Sequence, residues 1–206
     1  KVLAIRGKVY PATLETVKLV ARRENGVEVE GECRIRDEKG SPIERLSLNP
    51  ANCKATEESV EAIKEADVII MGPGSLYTSV MPNLLIEGIQ NAIARSRARK
   101  IYICNVMTES GETDDFSVSD HVKTIVKHTR PGIVNCCVAN VSRIPESLYD
   151  RYKAQGQYPV KLDKMDEKWL NDEKIELVKA HISGSKEFVR HDPEKLTEVI
   201  MDVIEK

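Results

Sequence analysis

A chain of 206 residues is long enough for one large α/β domain, and 41% hydrophobic with 31% charged residues is an ordinary soluble mix. With 31 basic against 33 acidic residues the net charge is −2, which argues against a general nucleic-acid binder. No apolar run approaches the ~18 residues of a membrane span and no signal peptide is read, so membrane insertion is not expected.

In chain order, residues 1–6 read as the tail of a helix closed by Gly7, an abrupt start that implies an N-terminal portion lies before it. Residues 8–13 read as a short strand interrupted at Pro11. Two β-rich runs, 17–23 and 27–35, then flank Asn25-Gly26, the strongest short hairpin signal. With a further strand at 43–48 and a turn at Asn49-Pro50, they predict an antiparallel insertion over about 14–48. Such an insertion serves as an edge, a lid or a subunit contact, the last being a route to a homodimer.

Thr56 is placed to cap a helix with Val60, Ile63 and Ala66 on one face. Residues 68–71 are bulky and largely β-branched without polar alternation, which predicts a parallel strand buried on both faces. After Pro82, Leu85, Ile86, Ile89, Ala92 and Ile93 follow the helical period. The cluster Arg95, Arg97, Arg99 and Lys100 is read as complementing the end of that helix. A second buried strand is predicted at 101–106, followed by a polar loop through Asp115. Ser117 or Ser119 caps a helix with the stripe Val118, Val122, Ile125 and Val126, ending near His128 and Arg130. A third buried strand at 133–139 precedes a short helix at 146–155, an extended piece at 158–160, a helical turn at 165–171 and a last strand at 175–182. Asp192-Pro193 starts a terminal helix whose apolar face is Leu196, Val199, Ile200, Val203 and Ile204. Strands joined through helices predict a parallel sheet with right-handed crossovers.

The segments that follow these strands, GPGSLYTS, NVMTESGETDD and NVSR, gather at one edge of such a sheet, where open α/β folds bind ligands. Gly72 and Gly74 bracket Pro73 and allow close backbone approach to a phosphate, while Ser75, Tyr77, Thr78 and Ser79 add rotatable donors. The turn is neither a P-loop nor the dinucleotide fingerprint. Asn105 and Asn140 fit either ligand contacts or turn caps. Glu109, Glu112, Asp114, Asp115 and Asp120 fit a metal, a general base or a solvated loop. Arg190 is a candidate fork for a diphosphate, and Tyr149, Tyr152 and Tyr158 fit either base stacking or packing. His121, His128, His181 and His191 lack metal-ligand spacing, and no nucleophile elbow is present. Cys33, Cys53, Cys104, Cys136 and Cys137 lack Cys-x-x-Cys spacing and read as reduced, buried thiols of a cytosolic protein. The residues by themselves point to a phosphate- or nucleotide-binding α/β protein without a persuasive catalytic group.

The strings GPGSLYTSVMPNLL, CNVMTESGETDDFSVSDHV, RYKAQGQYPV and VRHDPEKL, in this order over essentially the whole chain, resemble the YvcK-like gluconeogenesis factors. These form a bacterial branch of the CofD-like (2-phospho-L-lactate transferase) superfamily. The resemblance implies a Rossmann-like, mostly parallel sheet with helices on both faces and the antiparallel hairpin insertion. It makes residues 1–206 a single α/β domain, the C-terminal two-thirds of a CofD-like domain whose glycine-rich N-terminal βα unit is missing. It further implies a cytoplasmic regulator of carbon metabolism, cell-wall precursor supply and cell shape that binds a UDP-sugar such as UDP-N-acetylglucosamine, with no cofactor required. Carried over by motif, Gly72, Pro73, Gly74, Ser75, Thr78 and Ser79 line the cleft together with Asn105, Met107 and Thr108, and Tyr152 and Arg190 contact the nucleotide-sugar. No catalytic residue is assigned. The alternative is a transferase that moves a phospholactyl group onto a deazaflavin with Mg²⁺ held by the acidic residues; GPGSLYTSVMP resembles the regulatory branch instead.

Overall fold

Apolar residues that alternate along residues 18–49 and run unbroken along the later strands give two different sheets, seen in a computed structural model that describes residues 7–184 and 187–205. The helix tail read over residues 1–6 lies outside the described residues. Strands β1 (Lys18–Arg23), β2 (Glu28–Glu30) and β3 (Ile43–Asn49) form an antiparallel sheet in the order β2-β1-β3. Strands β4 (Val68–Met71), β5 (Arg99–Ile103), β6 (Cys136–Asn140) and β7 (Glu176–Ala180) form a parallel sheet in the order β4-β5-β6-β7.

The antiparallel sheet is one-faced. Leu19 and Ala21 of β1 alternate with exposed or half-buried neighbours and pack with Val29, Leu46 and Leu48. The run 27–35 is not one strand as its composition suggests: it breaks at Gly31, whose φ of +100° ends β2, and continues as the short helix α1 (Glu32–Asp37). Residues 8–13 pair with no strand, because Pro11 gives no N–H to a ladder and its carbonyl accepts instead from the Thr56 hydroxyl at 2.6 Å. The sheet is fixed to the rest by His128, whose Nε2 accepts from the Leu46 N–H at 3.0 Å while its Nδ1 donates to the Thr124 carbonyl at 2.8 Å. Burial lowers the His128 pKa, which keeps the neutral form this arrangement needs.

The parallel sheet is covered on both sides. Ile101 and Ile103 of β5 point to one face with Cys136 and Val138, where they meet Leu196, Val199, Ile200 and Val203 of helix α8 (Pro193–Ile204). Tyr102, Cys137 and Ala139 point to the other face and share a core with Ile89, Ile93, Val122, Ile125 and Leu170. These last belong to α4 (Glu87–Arg95), α5 (Val118–His128) and α7 (Lys164–Asp172). Burial on both faces holds for β5 and β6 but not for β4, an edge strand whose Ile70 stays 44% exposed because α8 lies over the sheet's centre. The basic cluster divides: Arg99 and Lys100 lie in β5 and not at a helix end, Arg99 pairing with Glu176 and Lys100 donating to the Gly132 carbonyl at 3.1 Å. The segment after β4 is also not one helix. It forms a π-helical turn, Leu76–Val80, then α3 (Met81–Leu84), with an extended Ile86 before α4, and Pro82 falls in the first turn of α3 where its missing N–H costs little.

The caps read from the sequence at Thr56, Ser117 and Asp192 are in place, and Asp163 adds one that was not read. Thr56 accepts from the Ser59 N–H ahead of α2 (Glu57–Glu65), Ser117 and Asp163 form capping boxes, and Asp192 caps α8. Asp166 ties two of these caps together, accepting from the Ser117 hydroxyl, the Ser119 N–H and the Asp163 N–H. Burial alone would raise its pKa, but those donors outweigh it and hold the carboxyl below its usual value. Among the described residues no helix is long and apolar enough to cross a membrane.

Two substitutions test this framework. Asp166→Ala orphans donors at the starts of α5 and α7, and urea unfolding is expected to show a loss of about 3 kcal/mol. Gly72→Ala places a Cβ at φ +89° and 3.2 Å from the Ile103 carbonyl oxygen; a loss of roughly 2 kcal/mol is expected, and an unchanged midpoint would contradict the close approach of β4 and β5.

Candidate functional site

The parallel register aligns Met71 with Tyr102, and Tyr102 with Cys137, so the carboxyl ends of β4, β5 and β6 lie side by side. A cleft of about 990 Å³ opens at the first two. Its floor begins where β4 ends: Gly72 turns sharply against the Ile103 carbonyl, and Gly74 sits so near Ser79 that an added Cβ would lie 3.1 Å from the serine's own. Ser75 begins the π-helical turn, its carbonyl accepting from the Ser79 and Val80 N–H groups at 2.9 and 3.0 Å.

The loop after β5 forms one wall. Asn105 is 8% exposed; its Nδ2 is directed at Glu109 Oε1, 3.5 Å away, and its Oδ1 is buried without a partner. Glu109 Oε1 also accepts from the Ser75 hydroxyl at 2.8 Å, and the Glu109 N–H donates to Thr113 Oγ1 at 2.9 Å. Met107 and Thr108 are zipped to the extended segment around Pro159: the Thr108 N–H donates to the Tyr158 carbonyl at 2.7 Å, and the Tyr158 N–H returns to Thr108 Oγ1 at 2.9 Å.

A second wall comes from α6 (Glu146–Lys153) and the segment ahead of α8, joined to the first where Val106 and Met107 pack with Leu148, Tyr152 and Val189. Tyr152 is held there by its hydroxyl, which accepts from the Val189 N–H at 3.2 Å. Arg151 lies over the rings of Tyr152 and Phe188, 5.7 and 5.2 Å from their centroids, and Arg190 lies 5.1 Å over Phe188. His191 donates from Nε2 to the Cys104 carbonyl at 3.0 Å, and burial lowers its pKa, so it adds no charge at neutral pH. The cationic side of the cleft is therefore Arg151 and Arg190. The acidic side is Glu109, backed by Glu112, which is 3% exposed with neither oxygen hydrogen-bonded. Burial first, and the neighbouring Glu109 charge second, push the Glu112 pKa up to about 8.

Of the residues named from sequence, Pro73, Gly74, Ser75, Ser79, Asn105, Met107, Thr108, Tyr152 and Arg190 line this cleft. Gly72 shapes it from behind through its backbone, and Thr78 lies in the π-helical turn without lining it. Ser75 differs from its expected role, since its single proton goes to Glu109. Asn140 serves the turn, with Oδ1 accepting from the Ile182 and Ser183 N–H groups at 3.2 and 3.0 Å. Within the acidic loop Asp114 accepts from the Gly111 N–H and Asp120 is held in the cap of α5, and among the described residues no three His, Cys, Asp or Glu side chains converge. Sequence reading missed Arg151, Gln155 and His191 as lining residues, although each sits within a recognised motif, Arg151 and His191 directly beside a residue that was named. Glu109 was a candidate only for metal or base chemistry, because nothing in the string shows that Ser75 lies against it.

The family model described as "2-phospho-L-lactate transferase CofD" matches residues 1–205. A relative from Clostridium acetobutylicum is 43% identical over 98% of this chain and 45% of its own length. The gluconeogenesis factor of Bacillus subtilis is 38% identical over 100% of this chain and 64% of its own length. The crystal structure of a UPF0052 family member from Bacillus halodurans matches with a TM-score of 0.91 at 40% identity, over 97% of this chain and 64% of that one. The chain thus spans about half to two thirds of the length of the relatives it matches.

Glu112 gives the site a pH signature. Between its usual value of 4.5 and about 8 the folded protein keeps a proton that the unfolded chain has released, so stability falls as pH rises through that window, by at most about 1.4 kcal/mol per pH unit. Glu112→Gln removes this contribution. Urea midpoints of both proteins at about pH 5.5 and 8 are expected to diverge in favour of the variant at the higher pH; parallel changes would show that Glu112 is not protonated in the fold.

Proposed function

We propose that this chain, which belongs to the CofD family and resembles its gluconeogenesis factors, binds a UDP-sugar as a regulatory protein of carbon metabolism and cell-wall precursor supply, with cell shape downstream. The observation that carries the reading is the pair of guanidiniums, Arg151 and Arg190, stacked with Tyr152 and Phe188 along one wall of a roomy cleft whose lining from the glycine turn and the loop after β5 carries no charge except Glu109. Guanidiniums suit a diphosphate, and aromatic faces suit a base. The volume is within the range of small-molecule sites. A turnover mechanism has less support. The one serine on the floor with an acidic partner, Ser75, hydrogen-bonds through its hydroxyl to Glu109 and not to a histidine.

The second reading, a phospholactyl transferase acting on a deazaflavin with Mg²⁺, is favoured only by the description of the matching family model. Isothermal titration of the full-length protein with UDP-N-acetylglucosamine, followed by chromatography of the recovered ligand, separates the two. Saturable binding with intact ligand supports the regulator; consumption of the ligand, or no binding, removes it. Arg190→Ala is expected to weaken binding at least tenfold, about 1.4 kcal/mol, and Tyr152→Ala by a similar factor. Undiminished affinity in both variants would move the ligand out of this cleft.

A further inference from the structure

The wall formed by the loop after β5 has a chemical demand of its own. Asn105 is more than nine-tenths buried and lines the cleft, and its Oδ1 has no partner among the described residues. The orientation of the amide is set by Glu109, toward which only the nitrogen can be directed favourably, so the free atom is an acceptor. Ser75 donates its hydroxyl proton to the same carboxylate oxygen at 2.8 Å, which leaves only lone pairs on Oγ for anything in the cleft. Ser75 therefore presents only lone pairs, Glu109 a carboxylate and Asn105 an unpaired Oδ1, with the second Nδ2 proton of Asn105 the one donor left among the three side chains. A phosphate, itself an anion and an acceptor, is repelled there. A group rich in O–H donors is not, and a hydroxyl on a carboxylate is among the stronger neutral-to-charged hydrogen bonds.

We propose that Glu109, Asn105 and Ser75 form a hydroxyl-recognising subsite that takes adjacent hydroxyls of a sugar ring and so fixes the direction in which the ligand lies across the cleft. The sugar is drawn to the acidic wall and the diphosphate to Arg151 and Arg190. This rests on the nucleotide-sugar reading for the choice of ligand; the anionic, acceptor-rich character of these three side chains does not. Glu112 supports the arrangement from behind: raised by burial and by Glu109, it carries a proton at neutral pH. Two sources could supply the hydroxyls, the ribose or the terminal hexose.

The test is titration of UDP-N-acetylglucosamine, UDP and 2′-deoxy-UDP into the full-length protein and into Glu109→Gln and Glu109→Asp variants, with thermal melts to verify folding. Glu109→Gln is expected to weaken UDP-N-acetylglucosamine at least tenfold, and Glu109→Asp by less, since it keeps the charge but retracts it. If UDP is weakened equally and 2′-deoxy-UDP binds the parent protein poorly, the ribose occupies the subsite; if UDP is unaffected, the hexose does. A folded Glu109→Gln variant that binds UDP-N-acetylglucosamine as well as the parent, or more tightly because a repulsive charge has gone, overturns the subsite while leaving the nucleotide-sugar reading intact. Absence of binding to the parent overturns that reading and the sugar assignment with it.

Discussion

The close approach of β4 to β5 at their carboxyl ends is the constraint on which the site depends. Parallel pairing in register brings the end of β4 beside Ile103, and there the chain must turn away without a side chain, which Gly72 provides at φ +89° with the Ile103 carbonyl where a Cβ would press. Because the strands run in parallel, the residues that follow each of them emerge on the same edge. The glycine turn and the Asn105-to-Asp115 loop are thus neighbours for a topological reason, and the hydrogen bond from Ser75 to Glu109 is the first consequence.

The polar loop would be costly to hold in place if solvent and loop contacts were its only support. It is braced by the antiparallel sheet. Arg23, at the end of β1, is 3% exposed, and its guanidinium donates to the carbonyls of Ser41, Ile35, Glu38 and Gly111. One side chain thereby closes α1 and the turn before β3 onto the acidic loop. A planar fork of donors can reach several carbonyls at once, which an ammonium on a flexible stem does less well. The hairpin region is thus a brace for the cleft as well as an independent sheet. Some of the stability so gained is offset by Glu112, buried with both oxygens lacking hydrogen-bond partners directly behind the wall that Arg23 supports.

The charges lining the cleft come from different segments: Arg151 and Arg190 from α6 and the approach to α8, Glu109 from the loop after β5. His191, adjacent to Arg190, adds nothing to the positive side because burial lowers its pKa despite the opposing hydrogen bond to the Cys104 carbonyl. The two walls come from distant parts of the chain, one from the loop after β5 and one from α6 and the approach to α8. Cysteine chemistry plays no part in this arrangement; Cys104, Cys136 and Cys137 are buried in or beside the central strands, and burial pushes the Cys136 thiol up to about 11.

Local chemistry in the sequence determined the helix caps at Thr56, Ser117 and Asp192, the Asn25-Gly26 turn, the buried strands β5 and β6, and the run of parallel strands whose ends gather at one edge. Each depends on interactions within a few residues or on an unbroken apolar run, and these are written in the string. It also marked most of the cleft, because glycine turns and motif residues announce themselves. Tertiary structure alone decided what depends on neighbours far along the chain. The exposure of Ile70 follows from α8 leaving the β4 edge uncovered, and the break at Gly31 from a sheet that needs only three residues of β2. The same holds for the pairing of Ser75 with Glu109, 34 positions away, which turned an expected phosphate donor into an acceptor. Hydrogen-bond direction is a property of the assembled pair, and no local pattern encodes it.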